Sequence, residues 1–220
     1  MNKCIILANG QSPKKSVFTL FEKLGYDLFI CADGGADSAL KLNLVPDYII
    51  GDLDSISNKA LKHYSKSAKI LKYTRQNDTD VEKCLKYAIK KKCTEAVLLG
   101  ATGDRLDHSF CNLGIVLKFF DKISVKIVHQ KSILNAYSGK VILKTFPGEV
   151  ISLYGINEKT KITSQGLKYP LQNVPLPFGQ KESTSNVALS EKVKLNITGG
   201  KIFIVRDFKL LVEHGLIQHS

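Results

Sequence analysis

The chain has 220 residues, 44% of them hydrophobic, and its 32 Lys and Arg against 20 Asp and Glu give a net charge of +12. That is enough apolar material for one large or two small domains to fold without covalent staples. Cys4, Cys31, Cys84, Cys93 and Cys111 are odd in number and contain no Cys-x-x-Cys pair, which argues against a zinc or dithiol redox site and reads as reduced, mostly buried thiols of a cytoplasmic protein.

The first apolar run reaches Asn9-Gly10 too early for a signal-peptide core, and no later run is long enough to span a bilayer, so no membrane partner is expected. The excess positive charge would suit a nucleic-acid binder, but the lysines are dispersed and no nucleic-acid-binding motif accompanies them. The densest run, Lys90-Lys91-Lys92, closes a predicted helix, where it complements the negative end of the dipole. No nucleic-acid partner is expected.

In chain order, Cys4 to Leu7, Leu28 to Cys31, Tyr48 to Ile50, Ile70 to Tyr73, Val97 to Leu99 and Val125 to Val128 read as strands buried on both faces. Between them, Val17 to Leu24, Ala36 to Leu42, Lys59 to Tyr64, Val81 to Lys91 and Leu106 to Phe119 carry helical spacing. Val81, Cys84, Leu85 and Ala88 share one helical face. The alternation predicts an α/β domain over residues 1–130, a doubly wound, mostly parallel sheet with helices on both faces.

After His129 the helical patterns stop. Lys140 to Thr145, Glu149 to Tyr154, Val193 to Thr198 and Lys201 to Val205 read as strands of an all-β domain over residues 131–208, and residues 209–220 form a tail without a readable role. Gly199-Gly200 between two alternating runs predicts a tight hairpin turn. The proline-bearing stretch Tyr169 to Gly179 predicts a surface loop.

Most informative are aspartates placed just after predicted strands, the edge where open α/β sheets build ligand sites. They lie in Ala32-Asp33-Gly34-Gly35-Ala36, Gly51-Asp52-Leu53-Asp54-Ser55, Gln76-Asn77-Asp78-Thr79-Asp80 and Gly100-Ala101-Thr102-Gly103-Asp104-Arg105-Leu106-Asp107-His108. On an extended backbone Asp52 and Asp54 would face one side, where their repulsion calls for a cation. Mg²⁺ suits hard carboxylate oxygens, whereas zinc would want His and Cys. Either residue also serves as a helix cap, and Asp80 beside a helix start also serves as dipole compensation.

The two glycine loops follow strands and open helices, so backbone N–H groups can approach a phosphate, although positive φ alone explains such glycines. Neither loop matches a P-loop or a dinucleotide fingerprint. Arg105 and Asp107 add a cation and a carboxylate suited to a transferring phosphoryl group, or form a surface pair.

The four loops, in this order, resemble the thiamin pyrophosphokinase family, whose signatures look like Ala-Asp-Gly-Gly-Ala, Gly-Asp-x-Asp-Ser, Gln-x-x-Thr-Asp and Gly-x-Arg-Leu/Phe-Asp. Gly166-Leu167-Lys168-Tyr169-Pro170-Leu171 and Ser185-Asn186 are similar to that family's thiamin-domain segments. The resemblance implies an N-terminal catalytic α/β domain, a C-terminal β-sandwich, and a homodimer whose substrate sites are shared between chains. It implies Mg²⁺-dependent transfer of the pyrophosphoryl group of ATP to the thiamin hydroxyl, with AMP leaving. It also implies roles: Asp52, Asp54 and Asp80 as Mg²⁺ ligands, Asp107 positioning or deprotonating the hydroxyl, and Arg105 on phosphate oxygens. Asp33, Gly34, Gly35, Gln76, Thr102 and Gly103 would line the nucleotide site, and Ser185 and Asn186 would hydrogen-bond thiamin. The chain departs from the pattern at Asp104, often glycine in the family, and in having no Trp.

Overall fold

In chain order the strands and helices are β1 (Asn2–Leu7), α1 (Lys15–Lys23), β2 (Leu28–Ala32), α2 (Gly35–Lys41), β3 (Tyr48–Gly51), α3 (Asn58–Tyr64), β4 (Lys69–Lys72), α4 (Asp80–Lys90), β5 (Cys93–Leu99), α5 (Leu106–Phe119) and β6 (Ser124–His129). They continue with β7 (Ser132–Lys144), β8 (Val150–Gly155), β9 (Lys161–Gln165), β10 (Val174–Pro175), β11 (Ser183–Val187), β12 (Lys192–Asp207) and α6 (Phe208–Glu213). The structure, a computed structural model, describes residues 2–74, 77–103 and 105–217, and the chain divides into two compact units, Met1–His129 and Gln130–Ser220.

In the first unit the strands run parallel in the order β6-β5-β1-β2-β3-β4. Residues Cys4 to Leu7, Ile49, Ile50 and Ala96 to Leu99 are almost wholly buried, as an apolar run covered on both faces must be. From β1 the chain steps outward through β2, β3 and β4, then returns to the other side of β1 for β5 and β6. The direction of progression therefore reverses at β1 and β5, and a crevice opens where their following loops diverge.

Helix α4 buries the predicted face of Val81, Cys84, Leu85 and Ala88, together with two charged residues, Glu82 and Lys83. The hydroxyl of Thr79 caps it by accepting the Glu82 N–H, which leaves Asp80 in its first turn. Glu82 is neutralised from α5 by Lys118 at 2.7 Å.

The second unit is built around β12, which pairs antiparallel with β7 along its length. Its other edge pairs first with β9 and then, past an irregularity between Ile197 and Ile202, with β8. The predicted hairpin at Gly199-Gly200 does not form, and the strand runs through both glycines. A Cβ on Gly199, at φ +75, would stand 2.1 Å from the Lys159 carbonyl oxygen, and one on Gly200 would stand 2.1 Å from Thr160 Oγ1. The glycines thus mark a bulge under a close backbone crossing, the other physical reason for Gly in a strand.

The stretch expected to be a surface loop also differs. Val174–Pro175 pairs with β9, and Leu171 and Leu176 are buried in the unit's core with Ile162, Leu195 and Ile204. The same unit buries an ion pair, Arg206 with Glu149.

Candidate active site

The loops after β1, β2, β3 and β5 interlock at the crevice. Gly10 N–H donates to the Gly100 carbonyl at 2.7 Å and Gln11 N–H to the Thr102 carbonyl at 2.8 Å, which ties the β1 loop to the glycine loop after β5. A Cβ on Gly35 would lie 2.1 Å from the Leu7 carbonyl oxygen, and one on Gly34 would lie 2.4 Å from Asn9 Nδ2, so both glycines permit close approach of the β2 and β1 loops. Asp33 (φ +41) is buried, and its two carboxylate oxygens accept the N–H groups of Ser55 and Ile56 at 3.2 and 3.0 Å. One aspartate therefore anchors the loop that carries Asp52 and Asp54.

A cavity of about 590 Å³ opens there, lined by Asn9, Asp33, Asp52, Asp80, Lys83 and Asp107 among others. Carboxylate oxygens of Asp33, Asp52 and Asp80 all lie within 4.8 Å of one another. At an effective dielectric of about 20, two like charges at that spacing repel by roughly 3–4 kcal/mol, so the cluster favours a cation. Three hard oxygen donors without a His or Cys among them fit Mg²⁺ better than zinc.

The grouping differs from the one an extended backbone would make. Leu53 has φ +68, which bends the chain between the two aspartates and takes Asp54 out of the close group. Asp54 instead accepts the Ser55 hydroxyl at 2.9 Å while its N–H donates to Asp52 Oδ1 at 3.4 Å. Asp54 still lines the cavity, and Asp33, read as a nucleotide residue, stands inside the carboxylate group.

Burial raises the Asp33 carboxyl to about 6, helped by the charges of Asp80 and Asp54 and opposed by the two N–H donors. For Asp52 burial also pushes upward, but the Asp54 N–H and the Lys83 charge outweigh it and hold the group below its usual value.

Lys83 was not apparent as a site residue from the chain alone. Its side chain is only 7% exposed, and its Nζ lies 2.8 Å from Asp80 Oδ1. Burial disfavours the ammonium, yet the hydrogen bond to Asp80 and the charges of Asp80, Asp52 and Asp33 prevail and raise its pKa. The available signal was its position three residues after Asp80, which puts both on one helical face. Asn9 was missed too, and its signal was an Asn-Gly directly after a strand.

Arg105 and Asp107 form a two-point pair, Nη2 to Oδ2 at 2.6 Å and Nε to Oδ1 at 3.2 Å, with both side chains 65% exposed. The guanidinium hydrogen bonds hold the Asp107 carboxyl down at about 2. Thr102 and Gly103 line a smaller recess of about 120 Å³ beside Asn9 and Gly10, and Thr102 Oγ1 lies 2.6 Å from His129 Nδ1. Gln76 and Asp104 lie outside the described residues.

In the second unit Ser185 (φ +52) is exposed, and its N–H donates to Ser152 Oγ at 3.0 Å. Asn186 is buried with its amide committed internally. Its Oδ1 accepts the N–H groups of Tyr169 and Val187, and its Nδ2 donates to the Tyr169 carbonyl and Ser183 Oγ. It fixes the turn that displays Tyr169, which lines a separate recess of about 370 Å³ with Pro170, Lys181 and Thr184.

A parallel sheet whose carboxylate-lined cavity sits at the carboxyl ends of its strands, where the strand order reverses, places the first unit among α/β proteins that bind ligands at a switch point. The family profile for the thiamin pyrophosphokinase catalytic domain matches residues 23–129, and that for the thiamin pyrophosphokinase vitamin B1 binding domain matches residues 140–202. Thiamin pyrophosphokinase 1 of Caenorhabditis elegans is 29% identical over 191 residues, covering 80% of this chain and 77% of the relative. Thiamine pyrophosphokinase of Bacillus subtilis (strain 168) is 26% identical over 188 residues, covering 83% and 88%. The fold matches the crystal structure of thiamine pyrophosphokinase from Bacillus subtilis with a TM-score of 0.80 at 22% identity, over 94% of this chain and 99% of that one. It matches thiamin pyrophosphokinase from Candida albicans with a TM-score of 0.81 at 19% identity, over 94% and 89%. The chain belongs to the thiamin pyrophosphokinase family.

Proposed function

We propose that the chain is a thiamin diphosphokinase, an enzyme that transfers the pyrophosphoryl group of ATP to thiamin. The thiamin hydroxyl oxygen bonds to the β-phosphorus, the bond from that phosphorus to the oxygen bridging it to the α-phosphorus breaks, and AMP leaves with thiamin diphosphate as the other product. The convergence of Asp33, Asp52 and Asp80 in the part of the chain that matches the family's catalytic domain carries this reading.

Asp52 and Asp80, with Asp54 beside them, are the residues that would hold Mg²⁺, which offsets negative charge on the polyphosphate. Asp33, Gly34, Gly35, Thr102 and Gly103 line the nucleotide. Arg105 turns from Asp107 to the phosphate oxygens, and that release frees Asp107 to position the thiamin hydroxyl and take its proton. Asn186 shapes the turn beside which Ser185 meets thiamin, presented from the partner copy of a homodimer. Support for a shared site comes from the exposure of Leu106 and Phe110 on the first turns of α5, flanking Asp107.

The same reading makes residues 1–130 a doubly wound catalytic domain and residues 131–208 a thiamin-binding β-sandwich, with 209–220 as a tail. Parallel crossovers are right-handed as a rule, and on a sheet whose progression reverses at β1 that rule supports helices on both faces. The exchange of β12's second neighbour at its bulge is how strands turn a sandwich corner. Four buried cysteines, and the lack among the described residues of any helix long and apolar enough to cross a membrane, agree with a cytoplasmic enzyme.

The test is nucleotide product analysis after incubating the protein with ATP, Mg²⁺ and thiamin, omitting thiamin or metal as controls. Thiamin-dependent AMP and thiamin diphosphate are expected. AMP that forms only with a different alcohol would move the assignment to another acceptor, and no turnover with any acceptor would overturn it.

A further inference from the structure

Lys83 is the one cation among the described residues that reaches the carboxylate group from inside the cavity. Its neighbours are engaged elsewhere: Lys86 pairs with Asp78 at 2.6 Å and Lys118 with Glu82 at 2.7 Å. An i, i+3 pair on a helix is usually an exposed contact of little consequence. This one is different, because the lysine stem is buried on the packed face of α4 and its ammonium is aimed at Asp80, with Asp52 and Asp33 next to it.

A buried lysine that served only to brace the helix would be expected to be shielded from the cavity. Lys83 instead lines the cavity on which three carboxylates converge. We infer that Lys83 is a resident counter-ion of the site: it neutralises Asp80 and Asp52 when no divalent ion is bound, competes with that ion for them, and presents its ammonium to the phosphate oxygens of the nucleotide once the ion has taken its place. This rests on the metal-assisted phosphate chemistry proposed above and adds to it a residue that the four aspartate loops do not include. The chain would gain a carboxylate cluster that stays assembled between turnovers, because an ammonium in contact with it relieves the mutual repulsion.

The two halves of this role have opposite signs in one variant. Lys83→Met keeps most of the buried stem and deletes the charge. Loss of a competing cation tightens divalent-ion binding, by about tenfold or more given how strongly adjacent charges couple in a partly buried site. Loss of the phosphate contact lowers kcat, by about a hundredfold on the scale of removing one preorganised donor. Lys83→Arg retains charge and is expected to bind the ion much as the unaltered protein does.

The experiment titrates nucleotide-free protein with Mn²⁺, an oxygen-seeking stand-in for Mg²⁺, and reads free Mn²⁺ by electron paramagnetic resonance. Steady-state kcat and KM for ATP are measured beside it, with circular dichroism as the check on folding. Tighter Mn²⁺ binding with lower kcat in Lys83→Met supports the inference. Unchanged or weaker Mn²⁺ binding in a folded Lys83→Met protein overturns it, as does an unchanged kcat. Should Lys83→Met fail to fold, Lys83→Gln answers the same question by the same two readings. Failure of the unaltered protein to bind Mn²⁺ would instead remove the metal site itself, an outcome distinct from a Lys83 variant that binds Mn²⁺ just as the unaltered protein does.

Discussion

Deleting the cation from the buried Arg206–Glu149 pair should be among the most costly single changes in the second unit. Arg206 Nε donates to Glu149 Oε1 at 2.6 Å, Nη2 donates to Oε2 at 2.8 Å and to the Lys144 carbonyl at 2.7 Å, and the two side chains are 2% and 1% exposed. Arg206→Met would leave a carboxylate in a desolvated site with no cation beside it, and breaking such a pair from one side costs about 3–5 kcal/mol, a large share of a typical folding free energy. Urea unfolding followed by circular dichroism reads that loss directly.

The pair is nonetheless imperfect, since Arg206 Nη1 and Asn135 Oδ1 are buried and lack a hydrogen-bond partner among the described residues. Replacing both partners, Glu149→Leu with Arg206→Met, is therefore expected to be neutral or to stabilise by about 1–4 kcal/mol. A single variant that costs under about 1 kcal/mol, or a double variant worse than either single one, would refute this account of the pair.

Asp52→Asn and Asp80→Asn should each lower turnover by about a thousandfold, the scale of losing a charge-stabilising group, with the far-UV spectrum unchanged. Asp54→Asn, outside the close group, should lose less, and equal losses in all three would mean that Asp54 joins the group when substrate binds. Because the buried Asp33 carboxyl sits at about 6, above its unfolded value, the folded protein holds that proton more tightly. Its stabilising effect is complete below the unfolded value near 3.8 and is lost as pH rises through about 6, so thermal melts in chelator should show a falling Tm over that window, flattened by added Mg²⁺. Gly199→Ala should destabilise more than Gly139→Ala in urea titrations: both have positive φ, costing about 1–2 kcal/mol for an L residue, but only Gly199 meets backbone within 4 Å of an added Cβ.

The first unit was legible because its signals are local. Apolar runs such as Ile5-Ile6-Leu7 and Val97-Leu98-Leu99 read as strands buried on both faces, and the stripe Val81, Cys84, Leu85 and Ala88 told which face of α4 packs. Strand ends then located the aspartate loops, since an alternating chain leaves few other places for them. The second unit was harder: β9 and β11 are short and carry polar residues such as Thr163, Ser164, Ser183 and Asn186 that blur a period of two. Gly199-Gly200 looked like a turn because both a hairpin and a crowded bulge demand glycine, and nothing local tells one from the other.

By itself the sequence determined the alternation of elements, the four loops that carry chemistry, and the family they resemble, because each of these is written in residues near one another along the chain. Only the tertiary structure decided which carboxylates meet. The left-handed backbone at Leu53 turns Asp54 aside, the parallel pairing of β2 with β3 brings Asp33 in, and one turn of α4 delivers the buried ammonium of Lys83. Those distances depend on how separate loops pack at one sheet edge, and packing between segments far apart in the chain leaves no mark on the spacing of residues within any one of them.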